Sequence, residues 1–185
     1  HHCVQAACLE VCPTGAIIRT EFDSVFIQPD VCNGCRDCIS ACPFGVIETN
    51  TQGIAQKCTL CYDRQQNGLE PACAKACPTK SIQFGDVDEL QSRARARVEQ
   101  LHAAGVTNAY LYGTAGDGYT DDIDGLNAFH LLLDKPATYG LPDRPQLASR
   151  ATAPSQIGGV VTGAILALGA AITFRNRRSN ADETK

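Results

Sequence analysis

The sequence contains no Met and no Trp, and aromatic residues make up only 6% of its 185 residues. A large aromatic core is therefore not expected, and something other than apolar bulk has to organise the fold. An excess of positive charge is also lacking, because the net charge is −4, so the composition does not support nucleic-acid binding. The absence of Met leads us to expect that the natural chain begins upstream of His1.

Cysteine is absent from residues 78–185, although the chain has 11 cysteines. An odd number argues against a closed set of disulfides, which remains an alternative. We predict that all of the cysteines are metal ligands and that none is catalytic. They fall into three groups: Cys3, Cys8 and Cys12; Cys32, Cys35, Cys38 and Cys42; and Cys58, Cys61, Cys73 and Cys77.

The spacing of the middle group indicates iron–sulfur chemistry. It reads C-x2-C-x2-C-x3-C-P, the run of bacterial ferredoxins in which three thiolates hold one cluster and the fourth binds its neighbour. The last group reads C-x2-C-x11-C-x3-C-P and the first reads C-x4-C-x3-C-P. Zinc is the alternative for paired CxxC motifs, but zinc requires neither three cysteines at two-residue intervals nor a following Pro.

The first group is one ligand short of the others. A Cys just before His1 would complete it as C-x2-C-x4-C-x3-C. Either His1 or His2 in place of that thiolate is an alternative, since His replaces Cys in Rieske centres.

A repeated unit, C-x3-C-P-x-x-x-I, begins at Cys8, Cys38 and Cys73. Each copy predicts a short helix that ends at Pro, then a turn, then a short strand. Glycine suits that turn in two copies, whereas Lys80 takes its place in the third, so a different turn is an alternative there. The predicted hairpins pair Ala16–Arg19 with Ser24–Gln28, and Val46–Thr49 with Gly53–Gln56.

The remainder of the chain carries further predicted elements. Val87–Ala104 has an apolar stripe at helical spacing and begins after a capping Asp. Ala109–Tyr112 and Phe129–Leu133 are typical of strands, and the proline-containing residues 134–156 are typical of an extended strap. No catalytic triad, metal-water site or phosphate loop is recognisable. Gly113–Gly118 reads GTAGDG without a following GK[ST], which favours a turn over a nucleotide loop.

An uncharged run of 18 residues, Ile157–Phe174, predicts a single transmembrane helix; a buried core helix is the alternative. Gly159 and Gly163 form a GxxxG pair, so the helix is expected to pack on a protein partner in the bilayer. The basic residues of 175–185 place the C-terminus in the cytoplasm by the positive-inside rule, and the cluster domain on the opposite side.

The chain resembles the four-cluster iron–sulfur subunits of molybdopterin oxidoreductases, most closely the beta subunit of membrane-bound formate dehydrogenase. The segments that carry this resemblance are Gln28–Glu48, Lys57–Gly85, Thr107–Gly113 and Phe129–Pro142. The resemblance implies four [4Fe–4S] clusters in the intact protein. It also implies that paired motifs exchange their last cysteine.

The exchanged ligand sets follow from that resemblance. Cys12 would join Cys32, Cys35 and Cys38 in one complete cluster. Cys42 would join Cys3, Cys8 and the missing ligand in a second. The third would hold Cys58, Cys61, Cys73 and an upstream ligand, and Cys77 would complete a fourth.

The resemblance implies a non-catalytic electron-transfer subunit. Electrons would pass from a molybdopterin (Mo or W) formate dehydrogenase subunit to a membrane cytochrome b-type subunit and quinone. The alternatives are the same module in a dimethyl sulfoxide, nitrate or polysulfide reductase, or a membrane-anchored polyferredoxin.

The predicted fold class is α+β, a ferredoxin-like cluster domain followed by a single transmembrane helix. We divide the chain into a cluster domain at 1–85, a packing segment and strap at 86–156, the helix at 157–174 and a basic tail at 175–185.

Overall fold

The computed structural model describes residues 1–147, 149 and 158–173. The chain separates into two compact units, His1–Leu147 and Ala148–Lys185. All 11 cysteines lie in the first unit. The predicted boundary after residue 85 falls inside that unit and stays a prediction.

Over residues 1–147 the fold is α+β, built from short helices and three antiparallel hairpins. The helices are α1 (Ala7–Glu10), α2 (Asp37–Ala41), α3 (Tyr62–Gln66), α4 (Ala72–Ala76) and α5 (Val87–Ala103). The strands are β1 (Ile17–Arg19), β2 (Val25–Ile27), β3 (Glu48–Thr49), β4 (Ala55–Gln56), β5 (Tyr110–Tyr112) and β6 (His130–Leu132). Two 3-10 turns lie at Asp121–Ile123 and Pro136–Tyr139.

Both predicted hairpins and both later predicted strands are present, and each strand is one or two residues shorter in all than expected. Strand β1 pairs with β2 so that Ile17 faces Ile27, and β5 pairs with β6 so that Tyr110 faces Leu132. Strand β3 pairs with β4. The apolar side chains of β1 and β2 enter the core, which explains why these very short strands are held in register.

The predicted helix at Val87–Ala104 is confirmed as α5. The Asp86 carboxylate accepts hydrogen bonds from the amides of Asp88 at 3.0 Å and Glu89 at 3.1 Å, which satisfies two free donors of the first turn. The predicted apolar stripe is half-buried, whereas most of the helix is exposed. Packing of that one face therefore holds α5 against the unit.

The third copy of the repeat differs from the first two after its turn. Lys80 has a φ of +51°, close to the +68° of Gly15 and the +62° of Gly45, so the turn keeps the same backbone conformation. The expected strand after Ile82 is not formed, and Ile82 is 50% exposed. The first two copies form strands because each has a partner hairpin strand to pair with.

Two hydrophobic clusters form the core of the first unit. One cluster surrounds the β1–β2 hairpin and includes buried Cys8 and Cys38. The other is centred on Tyr112 and Leu126 and includes Phe44, which follows α2. The cysteine region and the later hairpin β5–β6 therefore share one packed unit.

The first residues of the chain pair with a segment more than a hundred residues later. The amide of Val4 donates to the carbonyl of Gly125 at 3.1 Å, and the amide of Gln5 donates to that of Ile123 at 3.0 Å. Cys3 forms an isolated antiparallel bridge with Leu126. The backbone of the first cysteine group is thus held by residues 123–126.

The predicted transmembrane segment is helical at 158–173, and both of its predicted ends lie outside the described residues. The described part of this segment is rich in Gly and Ala. Among the described parts of the chain, no helix combines the length and apolar character needed to cross a membrane. The predicted transmembrane helix is therefore not confirmed.

Candidate metal centres

Four of the predicted ligands meet at one pocket. Apolar side chains from β1, β2 and β4 line it together with four cysteines: Cys12, Cys32, Cys35 and Cys38. Cys12 follows α1, Cys38 lies in α2, and these helices pack together. Helix pairing therefore carries the last cysteine of one repeat to the loop of the other. This is the set that the resemblance assigns to one complete cluster, and ligation itself stays a prediction.

The donors of this pocket suit a [4Fe–4S] cluster. Cysteine thiolates are the usual ligands of such clusters, and the pocket wall, all of it described, carries four cysteines and no carboxylate. Burial and then the neighbouring Cys32 and Cys35 raise the pKa of Cys38. That thiol would therefore release its proton as metal binds. Within the described residues, no three Cys, His, Asp or Glu side chains are spaced for a single metal ion.

The loop that carries Cys32 and Cys35 passes very close to the β3–β4 turn. Gly34 has a φ of +73°, and a Cβ there would lie 2.8 Å from the carbonyl oxygen of Gly53. The Asn33 side chain accepts a hydrogen bond from the amide of Cys35 at 3.2 Å. Glycine at position 34 therefore lets the ligand loop rest directly on the neighbouring hairpin.

A second set of predicted ligands includes Cys8, which lies in α1. Burial and then the nearby Cys3 and Cys42 raise the pKa of Cys8 to about 11. Burial also raises the pKa of Cys3, and Cys42 acts in the same direction. These three thiols are therefore electrostatic neighbours, and they are the three that the resemblance assigns to the second cluster.

The third group is more open to solvent. Cys58 and Cys73 are exposed, whereas Cys61 is half-buried. The Cys61 sulfur accepts a hydrogen bond from the amide of Ala72 at 3.5 Å, which places Cys61 beside the start of the helix that carries Cys73. The Cys58 sulfur accepts from the amide of Leu60 at 3.4 Å. The backbone already folds around these sulfur atoms.

Hydroxyl groups accompany the last cysteine of the first and third repeats. The Cys12 sulfur lies 3.7 Å from the Thr14 hydroxyl, and the Cys77 sulfur lies 3.5 Å from the Thr79 hydroxyl. Burial opposes ionisation of Cys12, but hydrogen bonds from Ile17 and Thr14 outweigh it and lower the pKa. Hydrogen bonds from Ser81 and Thr79 lower the pKa of Cys77 to about 6. Both sulfurs are thus prepared to carry negative charge.

Lys57 is a cation whose side chain lies close to the predicted cluster ligands. Its ammonium group donates to the carbonyl of Val25 and, at 2.8 Å, to the carbonyl of Cys58. The sequence places Lys57, Lys75 and Lys80 beside cluster ligands, where solvated surface lysines are the first expectation and an offset of cluster negative charge is the alternative. Lys75 and Lys80 are exposed, whereas Lys57 is half-buried. The only signal in the sequence for the burial of Lys57 is its position between a buried strand and the predicted cluster ligand Cys58.

Arg19 is a second cation that sequence reasoning did not single out. Its guanidinium donates to the carbonyls of Cys3 at 2.9 Å, Val4 at 2.6 Å and Asp23 at 3.0 Å. Arg19 therefore ties the end of β1 to the first cysteine of the first group. An Arg at the end of a short apolar strand is not part of any sequence pattern that predicts a contact with the backbone carbonyl of a cysteine ligand.

The N-terminal histidines have protein contacts, but His2 Nε2 is buried without a hydrogen-bond partner among the described residues, and a ligand role for either histidine stays an alternative. The His1 ring lies 4.4 Å from the Phe44 ring and 5.4 Å from the His130 ring, measured between centroids. His2 is buried, and its Nδ1 accepts a hydrogen bond from the amide of Val25 at 3.0 Å. Burial and then Lys57 lower the pKa of His2 to about 3, so the imidazole is neutral.

The glycine-rich segment GTAGDG forms a turn organised by Asp117. The Asp117 carboxylate accepts from the amides of Gly113 at 2.5 Å and of Tyr119 and Thr120 at 2.7 Å, and from the Thr120 hydroxyl at 2.9 Å. A carboxylate occupies the amides that a phosphate would need. The segment is therefore a structural turn, as the sequence favoured.

Comparison with protein families matches residues 1–87 to the 4Fe-4S dicluster domain. The chain is 42% identical over 151 residues to the formate dehydrogenase iron-sulfur subunit of Haemophilus influenzae, a match that covers 79% of this chain and 46% of that protein. It is 41% identical over 152 residues to the formate dehydrogenase-O iron-sulfur subunit of Escherichia coli, covering 80% of this chain and 49% of that protein.

The B component of the anaerobic dimethyl sulfoxide reductase of Escherichia coli is 44% identical over 94 residues, covering 50% of this chain and 46% of that protein. The chain spans about half the length of the curated relatives it matches. These matches confirm the resemblance drawn from the sequence and confirm [4Fe–4S] clusters as the cofactor class. The number of clusters in the intact protein stays a prediction.

Proposed function

We propose an electron-transfer role for this chain, because residues 1–87 match the 4Fe-4S dicluster domain and most of the chain is similar to formate dehydrogenase iron–sulfur subunits. The chain accepts electrons from a molybdopterin formate dehydrogenase subunit and passes them through [4Fe–4S] clusters to a membrane cytochrome b-type subunit and quinone. It supplies cluster ligands and no substrate-converting site.

The observation that carries this proposal is the meeting of Cys12 with Cys32, Cys35 and Cys38 at one pocket. A cysteine from one repeat joins the ligand set of the other, so the two clusters that exchange ligands are expected near the same packed helices, α1 and α2. Neighbouring clusters in one small unit form a path for single electrons. The cluster changes its charge while the surrounding ligands keep their positions.

Formate dehydrogenase is favoured over dimethyl sulfoxide reductase by the extent of the similarity. The formate dehydrogenase relatives align over 79–80% of the chain, whereas the dimethyl sulfoxide reductase relative aligns over 50%. The longer match includes sequence outside the cysteine region. The reductase assignment is the second candidate because its identity over the shorter match, 44%, is as high as that of the formate dehydrogenase relatives.

Metal analysis tests the cofactor part of the proposal. The full-length protein, purified without oxygen, is expected to hold about sixteen iron atoms and as many sulfides, four clusters of four irons each. A Cys35→Ser variant should lose one cluster and retain the others. Zinc without iron in the parent protein would refute the electron-transfer role.

The source of the electrons is tested in the purified complex. Formate should reduce the clusters, as followed by electron paramagnetic resonance, and a quinone should reoxidise them. Clusters that formate leaves oxidised, but that a reduced quinone reduces and dimethyl sulfoxide reoxidises, would establish the reductase candidate instead.

Membrane attachment and sidedness are the remaining part of the proposal. The uncharged segment Ile157–Phe174 carries the GxxxG pair, and a Cβ at Gly163 would meet open space in the isolated chain. We expect Gly163→Leu to weaken copurification with the cytochrome subunit because small residues let membrane helices approach closely. Ala164→Leu places the same side chain beside that face and is the control. Equal retention of the cytochrome by both variants would reduce the helix to a simple anchor.

Sidedness is supported by Arg175, Arg177 and Arg178, which follow the segment. They favour a cytoplasmic C-terminus and a cluster domain on the periplasmic side. A C-terminal fluorescent protein that folds only in the cytoplasm should therefore be bright, and a dark fusion at normal expression would reverse the orientation.

A further inference from the structure

The position of Lys57 leads to an inference about how the clusters are tuned. Lys57 directly follows β4 and is half-buried. The ammonium donates to the carbonyl of Val25 in β2 and to that of Cys58 at 2.8 Å. Both partners are neutral carbonyls, so these contacts leave the positive charge uncompensated.

The charges that face Lys57 belong to two different ligand groups. Its electrostatic neighbours are four cysteines: Cys8, Cys58, Cys3 and Cys42. Three of them are the ligands assigned to the second cluster, and Cys58 is a ligand assigned to the third. A second cation, Arg19, pairs with Val25 in the β1–β2 register and contacts the carbonyl of Cys3 at 2.9 Å.

We propose that Lys57 tunes electron transfer through its charge. Its ammonium group lies between the second and third cluster sites and raises the reduction potential of both. This rests on the proposed function, because it requires clusters at those ligands. Each transfer adds one electron to the accepting cluster and removes one from its donor, and no bond forms or breaks. A nearby fixed positive charge stabilises the form with the additional electron.

Partial burial makes this charge more effective than that of a surface lysine. Interactions between exposed charges are screened within about 10 Å at 0.1 M salt, whereas partly buried pairs are screened much less. Lys75 lies between two ligands of the third group, yet it is exposed. Lys75 is therefore the matched control: a lysine equally near in sequence to cluster ligands, without the burial.

The test is a redox titration of the purified complex, with each cluster followed by electron paramagnetic resonance. In Lys57→Gln we expect the second and third clusters to become harder to reduce by at least tenfold, about 59 mV for a one-electron couple. The complete cluster at Cys12, Cys32, Cys35 and Cys38 should shift least. Lys57→Arg should keep the parent potentials, and Lys75→Gln should leave all of them unchanged.

Full iron content with unchanged potentials in Lys57→Gln would overturn the proposal, while the electron-transfer role would stand. Absence of clusters from the parent protein would instead refute the proposed function. If Lys57→Gln loses iron, Lys57→Met replaces it, because Met needs no polar partner. Iron loss in both variants but not in Lys57→Arg would assign Lys57 to holding two backbone carbonyls, and this too would overturn the proposal.

Discussion

Substitution of Gly34 by Ala tests whether the ligand loop depends on its close approach to the β3–β4 turn. The new Cβ would lie 2.8 Å from the Gly53 carbonyl oxygen, a distance at which the backbone has to move. Overpacking of this kind costs about 1–3 kcal/mol. The left-handed backbone at φ +73° adds about 1–2 kcal/mol for any residue with a Cβ. The expected total is about 2–5 kcal/mol.

Gly53→Ala is the matched control on the other side of the same contact. Gly53 also has a positive φ, +83°, but a Cβ there meets no atom within 4 Å. It should therefore show only the backbone cost of about 1–2 kcal/mol. The difference between the two variants, about 1–3 kcal/mol, isolates the close approach.

Urea-induced loss of the visible absorbance of the clusters, measured without oxygen under identical incubation, provides the comparison. With a dependence of about 1–3 kcal/mol per molar urea, the Gly34→Ala midpoint should fall below the Gly53→Ala midpoint by roughly 1 M. Iron content before denaturation shows whether the starting proteins are equally loaded. Equal midpoints for the two variants would show that the loop can move away from the turn without loss.

Three further variants test other parts of the site. Thr14→Val should make the cluster completed by Cys12 harder to reduce, because the sulfur loses a hydroxyl contact; an unchanged potential in a redox titration would contradict this. Cys12→Ser should damage the cluster of the middle cysteine group, and selective loss of the first group's paramagnetic signal would argue against ligand exchange. Asp117→Ala should cost about 2–4 kcal/mol through lost charge-assisted hydrogen bonds, and a urea midpoint no lower than that of Asp121→Ala, which loses one such bond, would exclude that role.

Local chemistry made most of the elements predictable. The Asp86 cap and the apolar stripe define α5 to within one residue, because both signals lie inside the helix itself. The β1–β2 hairpin was predictable because two short apolar runs, the first of them at the end of a repeat copy, are separated by a turn. The missing strand after Ile82 shows the limit, since a strand also needs a partner that the local sequence does not reveal.

The site was predictable in its ligands but not in its surroundings. Cysteine spacing indicated the groups, and the likeness to known subunits supplied the exchange that the packing of α1 on α2 makes feasible. The positions of Lys57 and Arg19 depend on carbonyls that lie 32 and 15–16 residues away. Such contacts form only once the hairpins are assembled, so no periodic pattern in the sequence predicts them.

The bridge between Cys3 and Leu126 also has a consequence for biosynthesis. At about 5–20 residues per second, a ribosome takes about 6–25 s to travel from the one residue to the other. During that interval the first cysteines have left the ribosome while the backbone that fixes them has yet to be made. The middle cysteine group and its hairpins, by contrast, are complete soon after Gln56. Iron loading of the nascent chain is therefore expected to begin at the middle group with Cys12, and Cys3 is expected to be engaged last.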